Sequence, residues 1–307
     1  MKTFIKITTF LSVLLLLVMG ISKIVTPKNN AKEFGMENVK ASGILGERPE
    51  SIEALVVGDS EAYCSISPLQ VFQDSGIPIY VSASSAQFLY QSIDFVEMAL
   101  KNQKLKYIFL ETNNIFRGYE SLDYIFNFIE NKLPVFRYHN FWKSINLNNS
   151  GRKVEYTWTD DYKGFYIQKG RKASLKKNHM MNSVDKQKIS ELNQNHVAYI
   201  NKLAKENGAK LVLISTPSTL NWNMKKHNAV VELAKENDVE YIDLNLMDIG
   251  INWETDTFDK GDHVNYLGAK KVTSFLTNYL KGTNQFTDQR NNPKYRDWKI
   301  SLEKYLM

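Results

Sequence analysis

Short apolar runs recur along the chain, and each of them ends in small or polar residues. They are ALVVGDS at 54–60, IPIYVSAS at 77–84, LKYIFLETNN at 105–114, AKLVLISTPS at 209–218 and VEYIDLN at 239–245. Continuous runs of β-branched and aromatic residues are typical of strands that are covered on both faces. The pattern therefore predicts five buried strands.

The segments between these runs have a helical pattern instead. Apolar residues recur at the spacing of one helix face in segments 85–101, 183–207, 226–238 and 265–280, and Gly208 follows the second of these as a stop signal. Strands that alternate with helices favour a mostly parallel sheet with helices on both faces. We therefore predict a doubly wound, three-layer α/β domain with a five-stranded sheet.

The amino-terminal residues differ from the rest of the chain. Lys2 and Lys6 precede an uncharged apolar stretch at 7–22, which is typical of a signal sequence or a signal-anchor. Neither a small-residue cleavage site nor a cysteine placed for lipid attachment follows this stretch. We therefore expect an uncleaved, single-pass membrane anchor at 1–26, a polar tether at 27–50 and a domain outside the cytoplasm.

Two further regions interrupt the alternation of strands and helices. Residues 118–182 are irregular and rich in aromatic side chains, and we predict that they form an insertion within a domain spanning 51–282. The insertion either caps the sheet and shapes a substrate cleft, or adds core packing and loops. Residues 283–307 are predicted to be a polar tail with a short amphipathic helix, carrying Tyr295, Trp298 and Leu302, that docks on the domain.

Charge and cysteine content narrow the classes of function. The chain has 39 lysines and arginines against 33 aspartates and glutamates, which gives a formal net charge of +6. A dispersed excess of this size suits a protein beside anionic polymers or lipid headgroups and does not predict a nucleic-acid partner. Cys64 is the only cysteine, so the sequence excludes an internal disulfide and a thiolate metal cluster. We expect no metal and no cofactor.

Side chains that carry chemistry follow several of the predicted strands or precede the last predicted helix. The carboxyl ends of parallel strands meet at one edge of a sheet, so we expect these side chains to lie close together. Serine, histidine and aspartate at one edge are the parts needed for acyl transfer through a serine nucleophile. The residues concerned are Ser60, Asn113, Asn114, Asp259, Asp262 and His263.

Each of these groups has a chemical role in acyl transfer. A serine hydroxyl is a weak nucleophile at neutral pH, so a base must take its proton, and an imidazole titrates near that pH. A carboxylate orients the imidazole, and N–H donors must face the oxygen that gains negative charge. Ser60 is the candidate nucleophile and His263 the candidate base. The candidate donors are the backbone N–H groups at Ser60 and near Ala83, together with the side chain of Asn113 or Asn114.

These motifs resemble the SGNH (GDSL-like) hydrolase superfamily. The resemblance rests on GDSE after the first strand, an asparagine after the third and DHVNYLGAKKVT before the last helix, and it covers roughly residues 50–282. It implies that Ser60 is the nucleophile, that His263 is the base and that Asn113 or Asn114 donates to the oxyanion. More narrowly, the chain is similar to membrane-anchored, extracytoplasmic members in Gram-positive bacteria. Those are related in layout to proteins that D-alanylate teichoic acids or O-acetylate surface polysaccharides.

The closing motif departs from the superfamily pattern. The usual block is Asp-x-x-His, but Lys260 stands three residues before His263. The orienting carboxylate is therefore Asp259 or Asp262. We favour Asp259, because a side chain adjacent to the histidine usually points away from it.

The second motif departs as well. Ala83 or Ser84 stands where the superfamily has glycine, at the start of SSAQFLYQS (84–92), although backbone N–H groups can still donate there. Further candidates for the cleft follow the strand ends or flank the nucleophile. They are Glu61, Gln87, Ser218 and His227.

The sequence thus predicts an anchored extracytoplasmic serine esterase or O-acyltransferase. The expected substrate is a cell-wall or surface polysaccharide or a teichoic acid. Because no acyl-CoA is available outside the cell, a transferase needs a membrane-bound partner that exports the acyl group. Two alternatives stay open: a non-catalytic protein of the same fold that binds glycan or scaffolds an assembly, and an esterase directed at lipids.

Overall fold

The five predicted strands form one parallel sheet. The computed structural model describes residues 1–139, 153–176 and 178–307. The strand order is β2-β1-β3-β4-β5, and every neighbouring pair is parallel. The predicted α/β fold with a five-stranded sheet is therefore confirmed. The strands are β1 (Ala54–Gly58), β2 (Ile79–Ala83), β3 (Tyr107–Glu111), β4 (Lys210–Ser215) and β5 (Glu240–Asp243).

Helices cover both faces of this sheet. The helices of the described residues are α1 (Lys2–Val25), α2 (Val39–Ser42), α3 (Ser60–Ser65), α4 (Pro68–Ser75), α5 (Leu89–Leu100), α6 (Ser121–Lys132), α7 (Val135–Tyr138), α8 (Glu191–Glu206), α9 (Met224–Asn237), α10 (Tyr266–Gly282) and α11 (Arg296–Leu306). Helices α3, α4 and α10 pack together against one face, where Val56, Val81 and Phe109 join their apolar side chains in one buried cluster. Helices α5, α8 and α9 contact one another and the strands on the other side of the sheet.

The chain folds into two compact units. The first comprises residues Met1–Val39 and Tyr119–Trp158, and the second comprises Lys40–Gly118 and Thr159–Met307, including the whole sheet. The predicted insertion at 118–182 is thus divided, since its first part clusters with α1 and its last part belongs to the unit of the sheet. Positions 140–152 and 177 of the insertion lie outside the described residues.

Part of the predicted tether is ordered. Ala41 and Ile44 are each 1% exposed, which differs from the expectation of an unpatterned linker. The reason lies in strand β2, because the hydroxyl of Tyr80 donates to the carbonyl of Lys40 (2.8 Å) and that of Ser82 donates to the carbonyl of Ala41 (2.9 Å). These side-chain bonds hold the end of the tether against the sheet.

One helix starts later than its pattern predicted. The segment 183–207 was expected to be helical throughout, but α8 begins at Glu191. Ser190 determines this start, because its side chain accepts a hydrogen bond from the backbone N–H of Asn193 and so caps the first turn.

The amino-terminal helix α1 is the one candidate for a membrane span among the described helices. Its mean hydropathy reaches 2.3 over an 18-residue window, and no part of that window is buried within the protein. A helix of this length and composition suits either a membrane anchor or a signal sequence.

Candidate active site

Ser60 lies where the chain turns sharply from strand β1 into helix α3. Gly58 ends the strand, and a Cβ at this position would lie 2.6 Å from the Cβ of Glu111, so no other residue fits without displacing the neighbouring strand. Asp59 is fully buried and caps α3, since its Oδ1 accepts from the backbone N–H of Glu61 at 3.0 Å. Ser60 is half-buried as the first residue of the helix. This tight turn presents its hydroxyl at the carboxyl edge of the sheet.

The sheet order gives this position its significance. Strands β2 and β3 lie on opposite sides of β1, so the direction of the connections reverses between β1 and β3. In open parallel sheets, ligands bind at the carboxyl ends of the strands beside such a reversal. Ser60 follows β1 and Asn113 follows β3, and they therefore flank the expected binding crevice.

His263 joins Ser60 to a carboxylate. Its Nε2 lies 2.7 Å from the Oγ of Ser60, and its Nδ1 lies 2.6 Å from the Oδ2 of Asp259. The backbone N–H of His263 also donates to the Oδ1 of Asp259 at 2.7 Å, so this carboxylate holds the residue at two points. The carboxylate of Asp259 accepts a hydrogen bond from the N–H at Nδ1, which keeps that proton on Nδ1 and leaves Nε2 free to accept the proton of the Ser60 hydroxyl.

The structure distinguishes the two candidate carboxylates. Asp262 lies 3.8 Å from the Nδ1 of His263, beyond hydrogen-bonding distance, and its Oδ1 accepts instead from the side-chain amide of Asn221. The loop geometry explains the unusual spacing. Lys260 and Gly261 have φ values of +71° and +94°, and these two left-handed residues fold Asp259 back toward the imidazole.

The loop that carries His263 is fixed to the end of strand β4. The hydroxyl of Ser218 donates to the carbonyl of Asp262 at 2.7 Å, and the backbone N–H of Thr219 donates to the carbonyl of Gly261 at 2.7 Å. Ser218 was predicted as a cleft residue, and the structure places it beneath the loop, where it is 2% exposed. It therefore supports His263 and does not line a cleft.

Of the two asparagines predicted as oxyanion donors, only one is half-exposed. The Nδ2 of Asn113 donates to the Oδ2 of Asp59 at 2.9 Å, and its Oδ1 accepts from the Nζ of Lys226 at 3.0 Å. The ammonium fixes the orientation of the amide, and the second N–H of Nδ2 stays available. Asn114 is fully buried and donates to the hydroxyl of Ser92 at 2.9 Å. Asn113 is thus the better placed of the pair.

The second motif forms an internal network at the end of strand β2. The hydroxyl of Ser84 donates to the Oε1 of Gln87 (2.9 Å), and the Nε2 of Gln87 donates to the hydroxyl of Ser92 (2.8 Å). Gln87 is fully buried, so it is a structural group and not the cleft residue that was predicted. Ala83, which ends the strand, is 3% exposed and offers no side-chain donor. Any donor from this segment is a backbone N–H.

Glu61, next to Ser60, carries a buried carboxyl group. It is fully buried, its Oε1 accepts from the Nδ2 of Asn221 at 2.8 Å, and its Oε2 has no hydrogen-bond partner among the described residues. Burial, followed by the charges of Glu111 and Asp59, raises the pKa of Glu61 well above its usual range. Burial therefore favours the protonated form of Glu61 over the charged form.

Three residues of this region could hold a metal ion by distance alone. The ligand atoms of Glu61, Asp262 and His263 lie within 4.8 Å of one another. Both ring nitrogens of His263 are already engaged, one with Ser60 and the other with Asp259, and burial raises the pKa of Glu61. A cation bound to His263 would break one of these two hydrogen bonds, so these residues fit the hydrogen-bond network better than a metal centre.

His227 belongs to a second, separate histidine–aspartate pair. Its Nδ1 lies 2.8 Å from the Oδ2 of Asp243, at the end of strand β5, and that oxygen also accepts from the indole of Trp222 (2.9 Å) and the hydroxyl of Tyr241 (3.0 Å). Burial acts to raise the pKa of the Asp243 carboxyl, but the hydrogen bonds from His227, Asn245 and Trp222 outweigh it and lower the pKa. The structure does not bring His227 into the Ser60 network.

Sequence reasoning missed three residues that organise the site. Asn221 bridges Glu61 and Asp262, Lys226 orients Asn113, and Arg117 lies 3.4 Å from the buried Asp59 carboxylate. Burial lowers the pKa of Lys226 from its usual value, against the opposing pull of Glu111 and other carboxylates. Only the position of Asn221, a few residues beyond the fourth strand, was a signal in the sequence.

No family model matches the chain, and no curated protein does either. Among solved structures, the chain is similar to a GDSL-like lipase from Bacteroides thetaiotaomicron, with 10% identity, a TM-score of 0.41, and coverage of 76% of this chain and 89% of that chain. It is also similar to a lipase/acylhydrolase from Enterococcus faecalis, with 13% identity, a TM-score of 0.40, and coverage of 76% and 97%. A catalytic mutant of an acetylxylan esterase from Geobacillus stearothermophilus shares 11% identity at a TM-score of 0.38, with coverage of 80% and 100%.

Proposed function

We propose that this chain is a membrane-anchored serine esterase or O-acyltransferase of the SGNH (GDSL-like) type that acts outside the cytoplasm on cell-envelope glycopolymers. The observation that carries the catalytic part is the continuous chain of hydrogen bonds from Ser60 through His263 to Asp259, at 2.7 Å and 2.6 Å. A packed core does not require such a chain at a strand end. Acyl transfer through an activated serine requires all three groups.

The first half-reaction forms an acyl-enzyme. The Oγ of Ser60 attacks the carbonyl carbon of an ester while the Nε2 of His263 takes the hydroxyl proton. Asp259 stabilises the imidazolium that results and keeps its ring in place. The imidazolium then returns the proton to the departing alcohol oxygen, and the acyl group stays on Ser60.

The negative charge that develops on the carbonyl oxygen needs donors. The second N–H of the Asn113 amide is one candidate, because Lys226 and Asp59 fix the amide from two sides. The backbone N–H groups of Ser60 and of the Ala83–Ser84 segment are the others. Fixed donors of this kind act without reorganisation when the charge appears.

The second half-reaction resolves the acyl-enzyme. His263 removes a proton from water in an esterase, or from a sugar hydroxyl in a transferase, and the new oxygen attacks the acyl carbon. The bond from that carbon to the Oγ of Ser60 breaks, and the imidazolium returns the proton to Oγ, which restores the free serine and the neutral histidine. A transferase outside the cell would receive its acyl group from a membrane-bound exporter.

The substrate class is supported by charge and by the anchor. The net charge of +6 suits polyanionic glycopolymers such as teichoic acids. Helix α1 would hold the domain at the membrane surface, where such polymers are assembled and modified.

Turnover of defined esters tests this proposal. Full-length protein in detergent or vesicles should release acetate from p-nitrophenyl acetate and from O-acetylated cell-wall oligosaccharide, and Ser60→Ala should abolish both activities. His227→Ala is a matched control, because it removes a carboxylate-bound histidine outside the Ser60 network, and it should retain both.

The same assay separates the proposal from its alternatives. A protein that turns over neither ester but still binds the oligosaccharide would be a non-catalytic glycan-binding protein. A preference for long-chain over acetyl esters would identify a lipid-directed esterase. Either result would contradict the proposed function.

A further inference from the structure

Helix α6 exposes an apolar face. Leu122, Ile125, Phe126 and Phe128 are 59%, 47%, 59% and 54% exposed. The first three, with Ile129, follow the i, i+3, i+4, i+7 spacing that places side chains on one side of a helix. Exposed apolar side chains in such a contiguous group mark a contact surface, since soluble surfaces normally scatter them singly.

Two polar side chains on the other side of α6 contact α7. The Oδ1 of Asn127 accepts from the Nη2 of Arg137 at 2.7 Å, and Glu130 forms an ion pair with the Nε of Arg137 at 3.6 Å. Both contacts attach α6 to α7. The helix therefore turns these two polar groups toward the protein, whereas the face of Leu122, Ile125 and Phe126 is exposed to the surroundings.

Helix α7 in turn is attached to the end of the candidate membrane span. The backbone N–H of Val135 donates to the hydroxyl of Ser22 at 3.2 Å, and Ser22 is buried in the last turn of α1. All three helices belong to the same compact unit. The exposed face of α6 is thus held close to the point where α1 ends.

The length of α1 determines the depth in the membrane at which its last turn lies. A helix of 24 residues is about 36 Å long, against about 30 Å for the hydrocarbon core of a bilayer. The last turn of a spanning α1 therefore emerges among the lipid headgroups, where Lys23 is suited to reach the phosphates. The segment attached to Ser22 lies at the same depth.

We infer that α6 is an interfacial helix whose apolar face, formed by Leu122, Ile125, Phe126 and Ile129, inserts into the outer surface of the same bilayer that α1 crosses. This inference rests on the proposed anchoring through α1. A bilayer is favoured over a protein partner because the apolar helix α1 and the apolar face of α6 belong to one unit, in which α7 contacts both α6 and the last turn of α1. Amphipathic helices with aromatic and aliphatic side chains bind at that depth in the plane of the membrane.

The first part of the aromatic-rich insertion at 118–182, which contains α6, would thus form a second membrane contact. This contact would limit rotation of the unit that contains α1 and α6 about the axis of α1. The proposed acyl-transfer site does not depend on this contact.

Fluorescence quenching in vesicles tests the inference. Full-length Phe126→Cys and Leu122→Cys, each labelled with an environment-sensitive fluorophore and reconstituted in phosphatidylglycerol/phosphatidylcholine vesicles, should be quenched strongly by a quencher attached to the lipid acyl chain and weakly by aqueous iodide. Asp123→Cys, one position from Leu122 on the polar side, is the matched control, and iodide should quench it preferentially. Wild-type protein, labelled in parallel, measures any reaction at Cys64, which is buried.

Each other outcome overturns the inference in a distinct way. Labels at positions 122 and 126 that only iodide quenches would place the apolar face in water. Labels that neither quencher reaches would mean that protein covers the face, either another part of the chain or a second copy. Lipid quenching at position 123 as strong as at positions 122 and 126 would show that the membrane contact is not made by the apolar face in particular. Protein that fails to float with the vesicles would refute the anchor as well, whereas floating protein without lipid quenching would refute the α6 contact alone.

Discussion

The imidazole of His263 has two carboxylates within 4 Å and is bonded to only one of them. Sequence spacing left both Asp259 and Asp262 as candidates, because one stands four positions before the histidine and the other is adjacent to it. The choice depends on two left-handed residues, Lys260 and Gly261. A residue with a side chain rarely adopts a positive φ, so the fold-back at Lys260 could not be read from its identity.

Asp259→Asn and Asp262→Asn should therefore have very different effects. The amide at position 259 removes the acceptor that keeps the proton on Nδ1, and we expect the kcat for p-nitrophenyl acetate to fall by up to about 10,000-fold. The same substitution at position 262 leaves the bond of His263 to Asp259 intact and should change kcat little. A larger loss for Asp262→Asn than for Asp259→Asn would show that the other carboxylate orients the base.

Glu61→Gln should stabilise the protein increasingly as the pH rises. The pKa of Glu61 is higher in the folded protein than in the unfolded chain. Above about pH 4.3 the unfolded chain therefore releases the carboxyl proton while the folded protein still holds it, and the wild-type protein loses stability as the pH rises. Each unit by which the pKa is raised corresponds to about 1.4 kcal/mol of this loss. Glutamine has no proton to release, so the difference in free energy of unfolding between the variant and wild type should grow from pH 4.5 to pH 8.

Urea denaturation at several pH values measures this difference. Glu206→Gln, at an exposed position on α8, is the control for replacing a carboxyl group by an amide. A Glu61→Gln protein that loses stability relative to wild type as the pH rises would show that Glu61 is ionised in the folded state.

At the level of elements, the strands were predictable and the loops between them were not. The strand runs are mostly apolar because helices cover both faces of the sheet, and the position of Ser60 follows from the end of the first run. The prediction placed the start of α8 eight positions too early, because Ser190 caps the helix and interrupts the helical pattern. Asn221 and Lys226 enter the site through tertiary contacts that no local pattern encodes.

Gly261→Ala tests the loop that presents His263. A Cβ there would lie 1.9 Å from the Oγ1 of Thr219, and the φ of +94° disfavours any side chain, so we expect a loss of about 2–5 kcal/mol in the free energy of unfolding. The steady-state kcat should fall as well, because the loop must shift. Gly250→Ala is the matched control, with a φ of +77° but open space around its Cβ, and it should lose only about 1–2 kcal/mol. Equal losses would show that the contact with Thr219 is relaxed in solution.

At the scale of the whole chain, three distant segments meet in one buried cluster within the unit of the sheet. The carboxylate of Glu47 accepts from the Nζ of Lys163 (2.8 Å) through one oxygen and from the indole of Trp298 (3.0 Å) through the other, and Thr159 also bonds to it. These residues come from the predicted tether, insertion and tail. Trp298 also packs against Phe72 of α4, with ring centroids 5.2 Å apart.

Glu47→Ala should strongly destabilise this unit. It leaves the ammonium of Lys163, which is 1% exposed, buried without its carboxylate, and removing one partner of a buried pair costs about 3–5 kcal/mol. Glu232→Ala is the control, because its ion pair with Lys186 is half-exposed and is worth about 0–1 kcal/mol. Thermal or urea unfolding of both variants measures the difference, and comparable small effects would show that the three segments are held by other contacts.

The most direct test of the proposed chemistry is the reaction of the full-length protein with a fluorophosphonate, followed by intact-mass and peptide analysis. We predict a single adduct on the peptide that contains Ser60, no adduct in Ser60→Ala, and labelling at least about 1,000-fold slower in His263→Ala but normal in His227→Ala. Labelling at a residue other than Ser60, or an unchanged rate in His263→Ala, would contradict the proposal that His263 activates Ser60 for acyl transfer.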